Sequence, residues 1–177
     1  MQNLELKAYY PDHVKAREIA FMLGAREEWT RVQTDTYFSV RIGKLKIRQC
    51  QDEPAELIFY DRPETPEEKI SNYLIYSTLD GNYLLTLLKS ALSVRIVVQK
   101  IRTLFLCENI RIHLDDVKNL GKFIEFEGVI SPGHNLEVTE QRLSYLKNKF
   151  AIKSHDLLSE GYFEMLNKAK KTGLPQI

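Results

Sequence analysis

The sequence predicts an α+β protein built on a large antiparallel sheet. Three observations lead there. Eight short segments alternate polar and apolar residues or are dense in β-branched and aromatic ones. Several are joined by tight turns, at Gly43, at Glu108-Asn109 and at Asn119-Leu120-Gly121. Helical periodicity occurs only near the two ends and once in the middle. No repeat, low-complexity stretch or long linker divides the 177 residues, so 1–177 reads as a single domain.

The elements follow in order. Asn3-Leu4-Glu5-Leu6-Lys7-Ala8 has period two, the mark of a strand with one buried face. Pro11-Asp12 breaks it and opens a helix, with Asp12 as N-cap, Val14, Ile19, Ala20 and Leu23 on one side, and Gly24 just past the end. Strands are predicted over 34–40, 44–50, 55–62 and 70–76, with a polar, proline-containing loop at 63–66. Asp80 is placed as the cap of a helix to about Leu92, whose leucines cover a broad apolar face. Strands resume over 95–107, 109–117 and 122–130. After Pro132-Gly133 two helices are expected, about 137–150 and 159–170, packed on the sheet, with the basic KAKK end frayed.

Composition narrows the function classes. Lys+Arg number 25 and Asp+Glu 24, a net charge of +1, which excludes a nonspecific nucleic-acid binder. Hydrophobic residues at 44% supply a core. Cys50 and Cys107 are too few for a disulfide scaffold or a Cys-rich zinc site and read as free, inert thiols in a reducing compartment. The N-terminus carries charges within its first apolar stretch, unlike a signal peptide, and no apolar run nears the roughly 20 residues of a membrane span. A cytoplasmic protein with no nucleic-acid or membrane partner is expected.

Strand alternation says which side chains share a face. Asn3, Glu5 and Lys7 do so in one strand, Lys44, Lys46 and Arg48 in another, and Lys100 and Arg102 in a third. Arg111, His113 and Asp115 share a face, as do Glu125 and Glu127, each set opposite apolar residues. A one-sided sheet with its charged face in water accounts for any one strand. Three consecutive same-face cations repel one another, however, and a solvated face ordinarily mixes signs. If the sheet curls on itself, the basic residues meet inside, where an anion would compensate them, and paired carboxylates there suit a hard cation.

The ordered series NLELKA at 3–8, QTDTYF at 33–38, GKLKIR at 43–48, YDRP at 60–63, VVQKIR at 97–102, RIHLDDV at 111–117 and LGKFIEFE at 120–127 resembles the CYTH domain family over about residues 3–165. This is the family of CyaB-type class IV adenylate cyclases and thiamine triphosphatases, the triphosphate tunnel metalloenzymes. The resemblance implies a closed eight-stranded antiparallel β-barrel with helices packed outside and a triphosphate in its strongly positive bore. It implies substrate binding by Lys44, Lys46, Arg48, Arg62, Lys100, Arg102 and Arg111. It implies Mg²⁺ or Mn²⁺ held by Glu5, Glu125, Glu127 and Asp115, and catalytic roles for Glu5 and Lys7. The activity implied is that of a CyaB-like adenylate cyclase, with hydrolysis of thiamine triphosphate, a nucleoside triphosphate or tripolyphosphate as the alternative. A homodimer is admitted as an assembly.

Some positions depart from the pattern. Asn3 replaces the first glutamate of the ExExK strand, Asp61 stands where relatives carry a cation, and Ile70 and Leu74 occupy positions often charged. These changes keep a non-catalytic nucleotide or polyphosphate binder open as a further alternative. His113 reads as a hydrogen-bonded structural residue, Asp115 equally as a metal ligand or a partner of a neighbouring arginine, and Trp29, Tyr37 and Tyr60 as packing residues.

Overall fold

Every stretch that alternates in sequence is a strand. The computed structural model describes residues 2–61 and 69–172, with backbone alone at 2, 69–72, 171 and 172. In chain order the elements are β1 (Gln2–Tyr9), α1 (His13–Met22), β2 (Arg26–Phe38), β3 (Lys44–Cys50), β4 (Ala55–Asp61), β5 (Lys69–Thr78) and α2 (Gly81–Ala91). They continue with β6 (Val94–Cys107), β7 (Ile110–Val117), β8 (Gly121–Val129), α3 (Leu136–Lys149) and α4 (Tyr162–Thr172), with a short 3-10 turn at Ser154–Asp156 before α4. No helix among the described residues is long and apolar enough to cross a membrane.

All neighbouring strands are antiparallel, in the order β1-β5-β4-β3-β2-β6-β7-β8. The sheet is curled: β1 has β5 on one side, from Gln2↔Asn72 to Glu5↔Lys69, and β8 on the other, from Asn3↔Val129 to Tyr9↔Phe123. Curling gives each strand an inner and an outer face, and the period of two sorts the side chains between them.

Helices cover part of the outside. Leu4, Leu6 and Ala8 of β1, Ile112 and Leu114 of β7, and Ile124 and Phe126 of β8 pack with Ala16, Ile19 and Ala20 of α1 and Leu143 and Leu146 of α3. Val14 is not part of this face and is exposed. Leu88 of α2 closes a second core over Phe38, Ile47 and Ala55. The third core lies within the curl: Tyr37, Ile96 and Val98 continue the inner faces of β2 and β6, and Tyr162, Phe163 and Leu166 of α4 cover them. One end of the interior is therefore filled by α4.

Caps and turns largely match their sequence signals. Asp12 accepts from Lys15 N at 3.0 Å, and Gly24 has φ +76°, which glycine adopts without a Cβ penalty. Asp80 makes no side-chain cap bond; its own N–H donates to Thr78 Oγ1 at 3.1 Å instead. Two expectations are corrected. β2 begins at Arg26 rather than 34, because its charged first half is held by pairing with β6 and by the ion pairs Arg26–Glu28 and Arg31–Glu53, both 2.6 Å. The last helix starts at Tyr162, three residues late, and runs to Thr172 through the basic stretch expected to fray.

Candidate functional site

The inner faces of the strands surround a cavity of about 250 Å³. Cations come from β1 (Lys7), β3 (Lys46, Arg48), β6 (Lys100, Arg102) and β7 (Arg111), and carboxylates from Glu5, Asp35, Glu56, Glu125 and Glu127. Tyr37, Tyr60, Tyr73 and Tyr162 complete much of the wall. Among the described residues six cations face five carboxylates, so this part of the wall is near balance rather than strongly positive. The reason is physical. A buried unpaired charge costs several kcal/mol, so the chain supplies counterions for its own cations.

Each cation is held by a specific partner. Asp35, 2% exposed, accepts from Lys46 Nζ at 2.7 Å and from Arg48 Nε at 2.9 Å and Nη2 at 3.2 Å. Burial alone would raise the Asp35 carboxyl, but Arg48 and Lys46 outweigh it and hold it well below its ordinary range. Arg102 takes both oxygens of Asp115, at 2.6 Å each, and reaches Glu125 Oε2 at 2.7 Å. Lys7 Nζ lies 2.9 Å from Glu125 Oε1 and 4.2 Å from the centre of the Tyr162 ring. Lys100 Nζ stands 3.6 Å from Asp115 Oδ2.

Burial lowers two of the cavity lysines, Lys46 and Lys100. Desolvation, then Arg48, presses Lys46 down to about 8 despite Asp35. Desolvation and Arg102 press Lys100 down to about 7. Burial works against ionisation of Glu127 as well, but the His113 hydrogen bond and Arg111 keep it at about 2.

The acidic side of the cavity is built on the pairing of β1 with β8. Glu5 stands opposite Glu127 and Lys7 opposite Glu125. Glu127 accepts from Asn3 Nδ2, from His113 Nε2 at 3.0 Å and from Arg111 Nη1 at 3.3 Å. Asn3 is fully buried, and its Oδ1 has no hydrogen-bond partner. The carboxylates and this amide oxygen are hard-oxygen donors, the kind that divalent cations take. Among the described residues no group of three or more His, Cys, Asp and Glu is already gathered as a metal cluster.

The residues expected to act together are mostly brought together. Glu5, Lys7, Lys46, Arg48, Lys100, Arg102, Arg111, Glu125 and Glu127 all line the cavity. Asp115 lies behind Arg102, its oxygens engaged by that guanidinium and by Tyr162 Oη at 2.8 Å. Lys44 is not part of the wall: it forms an ion pair with Glu164 of α4, between the rings of Tyr60 and Phe163. Arg62 lies outside the described residues. Leu74 is exposed on β5, and only the backbone of Ile70 is described. Asp35, Glu56 and Tyr162 were not anticipated. Asp35 shares the period-two face of Gln33 and Tyr37, and that signal could have marked it.

The profile of the CYTH domain matches residues 1–162. The chain belongs to the CYTH domain family. No curated protein is similar enough in sequence to count as a match. Solved structures share the fold. A Pyrococcus horikoshii protein superposes with a TM-score of 0.81 at 21% identity, over 92% of this chain and 98% of that one. A candidate adenylate cyclase from Vibrio parahaemolyticus gives 0.78 at 19% identity, over 93% and 97%. A candidate adenylyl cyclase from Hippeastrum, described as having a dominant triphosphatase activity, gives 0.66 at 13% identity, over 99% and 98%. At these identities the neighbours show that the fold is shared.

Proposed function

We propose that this CYTH protein is a divalent-metal-dependent enzyme that takes a triphosphate into a closed tunnel and acts as a CyaB-like adenylate cyclase, converting ATP to cyclic AMP and pyrophosphate. The observation that carries this reading is the enclosure of Lys46, Arg48, Lys100 and Arg102 beside Glu5, Glu125 and Glu127 in one cavity.

The arginines suit phosphate oxygens through paired hydrogen bonds, and the lysines serve as point charges. Asp35 and Asp115 keep Arg48 and Arg102 aimed before substrate arrives, so little reorganisation is left for the reaction. Glu5, Glu125 and Glu127, with Asn3 Oδ1, are the groups to hold the cation. That ion, when bound, would offset charge gathering on the phosphoryl oxygens. Phosphates entering the cavity take over Lys7 and Arg111, which releases Glu125 Oε1 and removes one of the donors on Glu127 Oε1.

In cyclisation the ribose 3′-oxygen forms a bond to the α-phosphorus, the bond from that phosphorus to the bridging oxygen breaks, and pyrophosphate leaves. Glu5 is assigned to accept the hydroxyl proton, and Lys7 to neutralise the phosphoryl oxygens. Hydrolysis is the second reading, favoured by the triphosphatase activity ascribed to the Hippeastrum neighbour. It needs only a water in place of the 3′-hydroxyl, directed at the terminal phosphorus.

The test is incubation with ATP, thiamine triphosphate and tripolyphosphate, each with Mg²⁺ or Mn²⁺, followed by product identification. Cyclic AMP establishes the cyclase and released phosphate the triphosphatase. Tight triphosphate binding without turnover overturns the enzyme and leaves a polyphosphate-binding protein.

A further inference from the structure

Helix α2 has apolar residues on two sides. Its inner side serves the core: Leu88 packs over Phe38, Ile47 and Ala55, with Leu84, Leu85 and Leu92 beside it. Its outer side faces away from the sheet, where a surface helix ordinarily carries charge. There the spacing i, i+3, i+4, i+7 brings Tyr83, Thr86, Leu87 and Ser90 into one stripe, all exposed and none charged. The two hydroxyls are already used within the helix. Thr86 Oγ1 donates to Asn82 O at 2.9 Å, and Ser90 Oγ donates to Thr86 O at 3.0 Å. Covering this stripe therefore strips water from few unsatisfied polar groups.

The same surface continues onto the sheet. Leu57 packs with the α2 core and stands opposite Tyr76 of β5, and Phe59 stands opposite Leu74. Leu74, Tyr76 and Leu79 are 73%, 63% and 89% exposed, and on α2 Tyr83 and Leu87 are 73% and 50% exposed. Asp80 and Lys89 are the only charged residues between positions 70 and 93. Two tyrosines and three leucines this open present roughly 500–700 Å² of side-chain surface. That is at the upper end of what a monomer leaves bare and near the roughly 800 Å² per partner of a stable interface.

The composition says what covers it. Homodimer interfaces are poor in charge and rich in apolar and aromatic residues, whereas a partner found by charge needs a charged surface to read. A helix that lies on a membrane needs several Lys or Arg flanking its apolar face, and α2 carries Lys89 alone. A second copy also fits in shape. Across a two-fold axis between Thr86 and Leu87 the two helices run antiparallel with their dipoles opposed. Tyr83 of each copy then falls opposite Ser90 of the other, large against small. We propose that the chain forms a homodimer in which α2 packs antiparallel on α2 of a second copy, with Tyr76 and Leu79 extending the contact. Because Tyr73 and Ile75 of β5 line the cavity, this contact backs one wall of the candidate site.

Sedimentation equilibrium of the full chain at micromolar concentrations tests the proposal, and the wild type is expected to reach twice the chain mass. Leu87→Glu, at an exposed position and with a good helix former, should weaken association by about 30-fold or more while circular dichroism stays native. Tyr83→Lys should weaken it as well. Adding Ser90→Glu to Tyr83→Lys should regain about threefold or more, since the charges meet only between copies; residues seven apart on one helix lie beyond its own side-chain pairings. A wild type that stays monomeric, or a dimer that Leu87→Glu and Tyr83→Lys both leave intact, overturns the proposal. A double variant that regains nothing overturns the antiparallel arrangement and the proposal with it. Co-sedimentation of the wild type with vesicles of phosphatidylcholine and phosphatidylserine, lost in Leu87→Glu, would assign this face to a membrane and overturn the second copy.

Discussion

Arg102 and Asp115 meet edge to edge, with Arg102 Nε donating to Oδ1 and Nη2 to Oδ2, each at 2.6 Å. Arg102 Nη2 also reaches Glu125, and Tyr162 Oη donates to Asp115, so this one pair joins β6, β7, β8 and α4. Asp115 is wholly buried, and breaking a buried pair leaves a charge uncompensated. Asp115→Asn should therefore cost about 3–5 kcal/mol of stability in denaturant unfolding. A loss below about 1 kcal/mol, the size of a surface pair, would show that Asp115 does not organise the site.

The lowered lysines predict proton uptake on ligand binding. At pH 8 Lys46, at about 8, and Lys100, at about 7, are not fully charged in the ligand-free protein. A polyphosphate beside them favours the ammonium form and raises both. Tripolyphosphate binding at pH 8, measured calorimetrically in buffers of different ionisation enthalpy, should take up protons, and Lys100→Met should reduce the uptake. Binding heats independent of buffer would place these lysines away from the phosphates. In the ligand-free protein the sign is opposite in effect. The unfolded chain binds more protons between pH 7 and 10.5, so the Lys100 contribution to stability improves as pH rises through that window.

Glu127 should reveal itself in acid and in catalysis. Its folded value of about 2 lies below the unfolded 4.5, so the stability it contributes is present above pH 4.5 and is lost as pH falls toward 2. Glu127→Gln should flatten that part of the acid-unfolding curve. As part of the proposed cation site, Glu127→Gln and Glu125→Gln should each lower metal-dependent turnover by about 100-fold or more while circular dichroism stays native. Unchanged turnover in both variants would move the cation elsewhere.

Strand sorting was legible because a period of two is local information. Lys46 and Arg48, Lys100 and Arg102, and Glu125 and Glu127 could be put on common faces before any pairing was known, and the structure turns those faces inward. Pairing across the sheet was not legible. Nothing near Asp35 in sequence says that Lys46 and Arg48 will meet its carboxylate, and nothing near Lys44 says that Glu164, 120 residues on, will take it out of the wall. The near balance of charge among the described cavity residues has the same origin, since each counterion comes from another strand than its cation. The first half of β2 carries no strand signal of its own because its stability comes from β6 and from ion pairs rather than from an apolar face.

The outer support of the acidic strand gives the last prediction. Gly128 of β8 follows Glu127, and a Cβ placed there would collide with Thr139 Cγ2 of α3 and come within 3.2 Å of Ile110 Cδ1. The absence of a side chain is what lets α3 lie close on β8, and Thr139 is itself fully buried at this contact. Thr139 Oγ1 donates to Asn135 O at 2.8 Å and accepts from Asn109 Nδ2 at 3.1 Å, so α3 cannot retreat without loosening the turn between β6 and β7. Gly128→Ala should destabilise the protein by about 1–3 kcal/mol through overpacking. Thr139→Ser removes the offending methyl group while keeping the hydroxyl, so the double variant should recover a substantial part of the loss, measured as a denaturant midpoint. Purely additive losses would mean that the two residues do not meet.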